Sequence, residues 1–302
     1  MNEIDQIRTN IANLPQGLRT RFAPSPTGHL HLGHIASAIF TWGVAEAIDA
    51  EVIVRIEDHD VGRCRQEYVD SIIDDLEWFG FLDSNQTLGP VKIQSKNFPK
   101  FEDFAQKLKP QTYYCQCSRK SILDQDPSAF DLGELRYPNI CRQLNLASSK
   151  DRGLRLILDE KDISFDDLCL GKQRQCPQKQ CGDLLVKDRH SYWTYQFAVS
   201  IDDWQEDIDL VIRGQDLLSS TGRQIQVGEI LGREIPALYL HHPLIVDQSG
   251  KKLSKRDRAS SVKDLRDQGY QKEDILLKAW HFIEPDFEGS LESVDELGKL
   301  FK

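Results

Sequence analysis

The sequence lacks any apolar run approaching the roughly 20 residues that are needed to cross a bilayer. Its N-terminus, MNEIDQIRTN, is polar and acidic, whereas a signal peptide is basic and then apolar. We therefore expect a protein that does not enter a membrane and that stays in the cytoplasm. The seven cysteines are an odd number in a chain of 302 residues, which favours thiols or metal ligands over a disulfide framework.

Positive charge is also in short supply, because 38 Lys and Arg residues stand against 48 Asp and Glu residues and give a net charge of −10. Phosphate affinity is built from clustered Lys and Arg side chains that release counterions. The composition therefore disfavours indiscriminate binding to nucleic acid, and we expect no DNA partner. One local exception is the stretch 251–258, in which five cations accompany one Asp.

The order of the predicted elements indicates an α/β fold with a doubly wound parallel sheet. Two successive strand-helix units imply parallel strands with right-handed crossovers. The first unit has a strand at 18–23, a loop through Gly33 and a helix over 35–47, and the second has a strand at 51–57 and an amphipathic helix over 66–80. Later signals predict strands at 208–212 and 238–242 and helices at 217–231, 261–268 and 271–282.

The length suits one large domain that carries an insertion. We assign residues 1–108 and 191–245 to the two halves of a Rossmann-like catalytic domain. Residues 109–190 are rich in Cys, Pro and Gln with short apolar runs, which predicts an insertion folded around something other than a large core. Residues 246–302 are expected to form a basic loop and a helical subdomain.

The loop 24–34 joins the first predicted strand to the N-terminus of a helix, where backbone N–H groups and the helix dipole favour an anion such as phosphate. His31 and His34 are three residues apart and can face that anion together. Gly33 removes a side chain where a nucleotide must come close, and Pro24 and Pro26 stiffen the approach. The alternative is a Pro/Gly turn with incidental histidines.

The string RFAPSPTG at 21–28, which runs into HLGH at 31–34, resembles the first signature motif of class I glutamyl-tRNA synthetases. The string KLSKR at 252–256 is similar to the second signature of that family, although alone it could be a solvated charge run. The resemblance implies that the chain activates glutamate as an adenylate with ATP, which Mg²⁺ accompanies. It also implies roles in ATP binding for His31, Gly33, His34 and Lys255, and roles in catalysis for His31, His34, Lys252 and Lys255. The ammonium groups would stabilise charge on the departing pyrophosphate.

The same resemblance implies where L-glutamate binds. Arginine suits a carboxylate because the guanidinium is planar and bidentate, and Glu57 is the natural partner for the ammonium. A salt bridge between Arg21 and Glu57, or a core role for Tyr195, would be the structural alternative. The residues that fall at the glutamate contacts of the family are Arg21, Phe22, Ala23, Pro24, Ser25, Glu57, Tyr195 and Arg213.

A candidate zinc site lies in the predicted insertion. Cys115, Cys117 and Cys141 with Tyr137 provide three thiolates and a phenol that are close enough in sequence to enclose Zn²⁺ tetrahedrally. This pattern resembles the structural zinc site of the glutamyl-Q tRNA(Asp) synthetases, in which a Tyr completes three Cys. Because Tyr is an uncommon zinc ligand, the segment 176–181, with a Cys at each end, stays open as the source of the fourth ligand.

The chain has about fifty residues after the basic loop, so we expect no anticodon-reading domain of the usual kind. That expectation, the cysteine insertion and Phe40-Thr41-Trp42 resemble the glutamyl-Q tRNA(Asp) synthetases, which attach glutamate to the queuosine base in the anticodon loop of tRNA(Asp). Arg256 is more similar to the ordinary glutamyl enzymes, so a compact synthetase that charges the 3′ end of tRNA(Glu) is the alternative. A nucleotidyltransferase and a non-catalytic, zinc-stapled RNA-binding module are alternatives of other classes.

The remaining polar and thiol features are predicted to be structural. His241 and His242 follow one another in a strand, and Cys64 and Cys169 are most simply buried thiols.

Overall fold

The computed structural model describes residues 2–131, 134–245 and 261–302. Within these ranges no helix combines the length and the apolar character that crossing a bilayer requires. The strands are β1 Arg19–Phe22, β2 Glu51–Ile56, β3 Lys92–Ile93, β4 Thr112–Cys115, β5 Phe130–Asp131, β6 Glu134–Leu135, β7 Gly153–Leu156, β8 Ile163–Asp167, β9 Gly171–Gln175, β10 Leu184–Lys187, β11 Leu210–Gly214 and β12 Leu238–His242. The helices are α1 Glu3–Ile11, α2 Leu32–Ile48, α3 Gln66–Phe79, α4 Phe98–Lys107, α5 Arg119–Gln125, α6 Pro177–Cys181, α7 Tyr195–Gln205, α8 Thr221–Leu231, α9 Val262–Asp267 and α10 Lys272–Trp280.

The central sheet has two parallel halves. One half has the order β1-β2-β3, and in the other β11 pairs with β12. The halves meet between β1 and β11, where the N–H of Asp209 donates to the carbonyl of Arg19 over 2.8 Å. The chain therefore winds outwards in both directions from β1 and β11, which confirms the doubly wound α/β class. Ligands of such folds bind at the carboxyl ends of the strands at this switch point.

Helix α2 is apolar on nearly every side because it is buried between the sheet and the C-terminal part of the chain. A 3₁₀ segment, Val294–Phe301, packs against it together with α10. A Cβ atom added at Gly43 would lie 2.4 Å from the ring of Phe301, so this glycine permits the close approach. Neither this segment nor α1 was predicted from the sequence.

Several predicted boundaries were wrong by a few residues. Helix α2 begins at Leu32 and not at 35, because the His31 side chain accepts the backbone N–H of Gly33 and caps the helix. The strand predicted at 208–212 is β11, and the helix predicted from 217 is preceded by a 3₁₀ turn, Gln215–Ser220.

The predicted insertion has more apolar core than its short apolar runs suggest. Strands β4, β7 and β10 form an antiparallel sheet, and Leu156 and Val186 pack with Phe101 of α4 and Phe197 of α7. The expectation that this segment folds without a large core was wrong, because separate strands and flanking helices combine their apolar side chains. The hairpin β8-β9 lies beside β12 in the second half of the central sheet. The domain division at 108, 190 and 245 stays a prediction.

Candidate active site

The two histidines of the loop form a closely packed, tilted pair at the N-terminus of α2. Their ring centroids are 3.9 Å apart and the ring planes are inclined by 38°. The Nδ1 atom of His31 accepts the N–H of Gly33 over 3.1 Å, and the Nδ1 atom of His34 accepts the N–H of His31 over 3.2 Å. Because Nδ1 is an acceptor in both rings, the neutral rings carry their protons on Nε2. Two Nε2–H donors at a helix N-terminus suit phosphate oxygens.

The histidine pair itself requires Gly33. A Cβ atom at this position would lie 2.9 Å from Cε1 of His31, so a side chain would displace the ring. The segment that follows the basic loop is held beside the pair, since Ser261 bridges to His31 and the N–H of Val262 donates to the carbonyl of Leu30 over 2.8 Å. Lys252, Lys255 and the rest of the predicted second signature lie outside the described residues.

Three charged side chains of the predicted glutamate site are buried at the carboxyl ends of neighbouring strands. Arg21 is 4% exposed, Glu57 3% and Arg213 5%. Tyr195, the first residue of α7, lies within range of their charges. Burial raises the pKa of the Tyr195 hydroxyl, and the nearby charge of Glu57 raises it further, whereas Arg213 and Arg21 oppose the shift. The structure therefore brings together four residues that are far apart in sequence.

The four consecutive residues from Phe22 to Ser25 continue β1 into the loop. The ring of Phe22 packs on that of Trp42 at a centroid distance of 5.3 Å. The carbonyl of Pro24 accepts the N–H of Glu57 over 3.0 Å, which fixes the loop to the end of β2. Direct contacts of Phe22, Ala23, Pro24 and Ser25 with glutamate stay a prediction.

Arg21 and Glu57 do not pair with each other. The Nε–H of Arg21 donates to Asp203 over 3.1 Å, and Glu57 accepts from Nη2 of Arg55 over 3.1 Å. Arg55 also donates to Asp203 over 2.7 Å, so Asp203 connects the two arginines. A salt bridge between neighbouring strands was therefore the wrong structural alternative.

Arg55 is the centre of this charge network, and its side chain is fully buried. It lies 2.6 Å from Glu206 and 3.9 Å from Asp202, besides its contacts with Glu57 and Asp203. Burial opposes the charge of Arg55, but the surrounding carboxylates outweigh burial and raise the pKa of its guanidinium. Sequence reasoning missed the acidic residues at the end of α7, although Asp202, Asp203 and the C-cap residue Glu206 have the spacing that places side chains on one helix face.

Asp202 is a buried carboxyl whose protonation should affect stability. It accepts hydrogen bonds from Gln94 and Asn97, each over 2.8 Å, yet burial raises its pKa to about 7. A raised folded-state pKa means that the folded protein holds this proton more tightly than the unfolded chain does, so stability falls as pH rises from about 4 towards about 7. We expect Asp202→Asn to remove a decline of about 2 kcal/mol between pH 5 and pH 8. Urea denaturation at both pH values measures this, and an equal decline in the two proteins would contradict the assignment.

Arg213 differs from the other buried arginines in its partners. Its guanidinium donates to Nε2 of His241 over 3.0 Å, to Oε1 of Gln224 over 2.6 Å and to Oγ1 of Thr221 over 2.8 Å. All three acceptors are uncharged, and in the described part of the chain no carboxylate forms an ion pair with Arg213. A buried cation without a countercharge is costly. The guanidinium also has more N–H donors than these acceptors use, so the site is suited to a carboxylate ligand.

A second candidate site is a group of thiols in the insertion. The sulfur atoms of Cys115, Cys117 and Cys141 lie within 4.8 Å of one another, and those of Cys117 and Cys141 are 3.5 Å apart. Tetrahedral zinc with Zn–S bonds of about 2.3 Å would place sulfur atoms roughly 3.8 Å apart. The Tyr137 hydroxyl lies 3.3 Å from the sulfur of Cys115 and accepts the N–H of Cys141 over 2.9 Å. The donor set therefore fits a metal ion.

The other cysteines have different surroundings. Among the described residues, neither Cys176 nor Cys181 belongs to the thiol group, and Cys181 lies in the apolar cluster of Leu156. Cys169 is a buried thiol as predicted, whereas Cys64 is half-buried. All seven cysteines fall in the described ranges, and none forms a disulfide.

Comparison with known proteins agrees with this geometry. The model of the family described as tRNA synthetases class I (E and Q), catalytic domain, matches residues 17–282. A glutamyl-Q tRNA(Asp) synthetase of Geobacter sulfurreducens is 36% identical over 266 residues, which cover 87% of this chain and 83% of that protein. A glutamate-tRNA ligase of Xylella fastidiosa is also 36% identical, over 83% of this chain and 54% of the ligase. The chain thus spans about half the length of that ligase.

Solved structures give the same fold. A glutamate tRNA ligase from Elizabethkingia meningosepticum, crystallised in complex with its amino acid, superposes with a TM-score of 0.75 at 24% identity and covers 95% of this chain and 66% of that one. The match of the family model covers the histidine pair, the buried arginines and the thiol group. The chain therefore belongs to the family of class I tRNA synthetases for glutamate and glutamine, as a catalytic domain of that family.

Proposed function

We propose that the chain activates glutamate with ATP as glutamyl-adenylate and transfers the glutamyl group to the queuosine base in the anticodon loop of tRNA(Asp). The observation that carries the choice of amino acid is Arg213, a buried cation whose described partners are all neutral, in a site that also holds the Glu57 carboxylate. Glutamate supplies a side-chain carboxylate that can pair with Arg213 and an ammonium group that can pair with Glu57. The acceptor is proposed from the similarity to the Geobacter sulfurreducens protein along most of both chains.

The chemistry requires two displacements. The α-carboxylate of glutamate attacks the α-phosphorus of ATP, the bond to the bridging oxygen breaks, and pyrophosphate leaves. A hydroxyl of the queuosine ring then attacks the glutamyl carbonyl and gives up its proton to the departing phosphate group, and AMP leaves with the electron pair of the broken acyl–oxygen bond. The Nε2–H groups of His31 and His34 bind phosphate oxygens, and Lys252 and Lys255 stabilise the leaving pyrophosphate, with Mg²⁺ bound to ATP. Catalysis by such a site is mainly positioning and electrostatic stabilisation.

The two arginines of the glutamate site have different electrostatic roles. Asp203 already neutralises Arg21, since the Nε and Oδ1 atoms are 3.1 Å apart. Arg213 has no such countercharge among the described residues, so it should attract the side-chain carboxylate of glutamate more strongly than Arg21 does. Arg21 and Tyr195 complete the pocket with neutral or balanced groups, and Glu57 binds the ammonium.

Amino-acid-dependent ATP–pyrophosphate exchange tests the first half-reaction. With queuosine-containing tRNA(Asp) present, we expect exchange with glutamate and much weaker exchange with aspartate or glutamine. The side chain of aspartate is too short to reach the arginines, and that of glutamine carries no charge for them to bind. Exchange without any amino acid would indicate a nucleotidyltransferase. RNA binding without exchange would indicate a non-catalytic module.

The thiol group supports a structural Zn²⁺ bound by Cys115, Cys117, Tyr137 and Cys141. Three thiolates in one place repel one another unless a cation is bound, and a metal ties β4 to the loop that holds Tyr137 and Cys141. The metal would contribute folding energy and take no part in the reaction.

We expect Cys141→Ser to lower the zinc content of the purified protein from about one per chain to well below one. It should also lower the melting temperature by several degrees, because structural metal binding is coupled to folding. Elemental analysis and thermal unfolding measure the two effects, and Cys64→Ser is the matched control outside the thiol group. Retention of zinc in Cys141→Ser together with its loss in Cys181→Ser would move the site to the other cysteines.

A cytoplasmic location is proposed with this function. None of the seven cysteines forms a disulfide in the structure, which is the usual state in a reducing compartment. The second candidate acceptor is the 3′ end of tRNA(Glu). The observation that favours it is the 36% identity to the Xylella fastidiosa ligase, which equals the identity to the Geobacter sulfurreducens protein.

A further inference from the structure

Two buried residues beside the glutamate site have no part in the chemistry described so far. Asp167 ends β8 and His241 lies in β12, and both side chains are inaccessible to solvent. The Oδ1 atom of Asp167 accepts the N–H groups of Cys169 and Leu170 over 3.0 and 2.9 Å. Its Oδ2 atom accepts the N–H of His241 over 3.1 Å and lies 2.6 Å from Nδ1 of the His241 ring. Backbone donors thus hold the carboxylate in one orientation.

This arrangement determines which ring nitrogen of His241 carries the proton. An ionised carboxylate can only accept, so Nδ1 must be the donor. The neutral ring then presents the lone pair of Nε2, which accepts from Nε–H of Arg213 over 3.0 Å and contacts the Thr221 hydroxyl at the same distance. Burial lowers the pKa of His241 and keeps the ring neutral. If Nε2 of His241 carried a proton, its N–H would point at the Nε–H of Arg213, and the two donors would repel each other.

We propose that Asp167 and His241 are a positioning pair that orients Arg213 for the side-chain carboxylate of the substrate. The inference rests on the proposed function of Arg213 and extends it to residues that touch no substrate. Asp167 selects the tautomer of His241, and His241 holds the Nε edge of the guanidinium. The N–H groups of Nη1 and Nη2 that do not donate to Gln224 and Thr221 are then left for the ligand. In serine proteases a buried aspartate likewise holds the catalytic histidine in the tautomer that the serine needs.

Asp167→Asn tests the pair with almost no change in shape. An amide at this position places N–H against the donor at Nδ1, which favours the tautomer with the proton on Nε2. Losing a hydrogen bond to a charged group should raise KM for glutamate by about tenfold to a hundredfold in the exchange assay. KM for ATP and kcat should change by less than about threefold, because the lost contact binds ground state and transition state alike. The ¹⁵N chemical shifts of His241 should show the proton on Nε2.

A pair of variants at His241 covers the case in which Asp167→Asn fails to fold. His241→Gln can place an amide oxygen near the position of Nε2 and should keep KM for glutamate within about threefold of the native value. His241→Asn can still donate to Asp167 but has no acceptor that reaches Arg213, so it should raise KM for glutamate about tenfold or more.

Equal KM values for glutamate in the native protein and both Asn variants would overturn the inference. So would equal increases in KM for glutamate and ATP, or equal KM values for glutamate in His241→Gln and His241→Asn, since these indicate general structural damage. Failure of the proposed glutamate activation looks different, because the native protein itself would then show no glutamate-dependent exchange.

Discussion

Replacing Arg213 with Ala should lower kcat/KM for glutamate by about a thousandfold, the loss expected when a buried carboxylate is deprived of its charged partner. Arg213 is 5% exposed and the three described acceptors of its guanidinium are neutral, so we expect its charge to act on the ligand. KM for ATP should change little, because the histidine pair to which we assign phosphate binding lies on a different element. Glutamate-dependent ATP–pyrophosphate exchange, measured over a range of both substrates, gives these constants.

Two controls sharpen this test. Arg213→Lys keeps a positive charge but cannot form bidentate hydrogen bonds with a carboxylate, so it should retain only part of the native activity. Arg174→Ala removes an arginine that is 73% exposed and paired with Asp162, and it should leave kcat/KM unchanged. If Arg213→Ala kept the kcat/KM of the native protein for glutamate, another residue would have to bind the side-chain carboxylate.

Replacing Arg55 with Met should lower the free energy of unfolding by about 3–5 kcal/mol at neutral pH, the usual cost of removing one partner from a buried ionic network. Arg55 is fully buried, and its loss would leave Glu57, Asp203 and Glu206 without their shared cation. The penalty should shrink at pH 5, because carboxylates left without the cation take up protons more easily.

Urea denaturation at pH 7.5 and pH 5 measures this change in stability. Arg174→Ala is again the matched control, because removing an exposed ion pair costs about 0–1 kcal/mol. A loss below about 1 kcal/mol in Arg55→Met would show that the carboxylates relax or find other partners, and that Arg55 does not hold the network together.

The parts of the site that form continuous strings were predictable from the sequence. His31, Gly33 and His34 lie within four residues, and the thiol group is spaced along one short segment, so local chemistry is enough to find both. The parallel sheet was predictable because strands and helices alternate with clear changes of hydrophobic period at 18–80 and 208–242.

The partners of these residues were not predictable, because they depend on contacts between distant segments. Asp203 lies 182 residues from Arg21, and Asp167 lies 74 residues from His241. Only the fold shows that Asp203 neutralises Arg21, whereas no carboxylate in the described ranges forms an ion pair with Arg213. The same reason explains the core of the insertion, where β4, β7 and β10 each contribute too few apolar residues to be recognised alone.

His241 shows where a correct prediction was incomplete. The sequence indicated a structural residue, and the ring is indeed buried and hydrogen-bonded to Asp167. Its other nitrogen, however, contacts Arg213, which connects this structural residue to the proposed glutamate site. No pattern in β12 signals that contact.

The most direct test of the account is transfer of labelled glutamate, with ATP, to purified queuosine-containing tRNA(Asp) and in parallel to tRNA(Glu). We predict label on tRNA(Asp) that is lost when the tRNA carries guanine in place of queuosine. Label on tRNA(Glu) alone would contradict the proposed acceptor and identify a compact synthetase that charges the 3′ end.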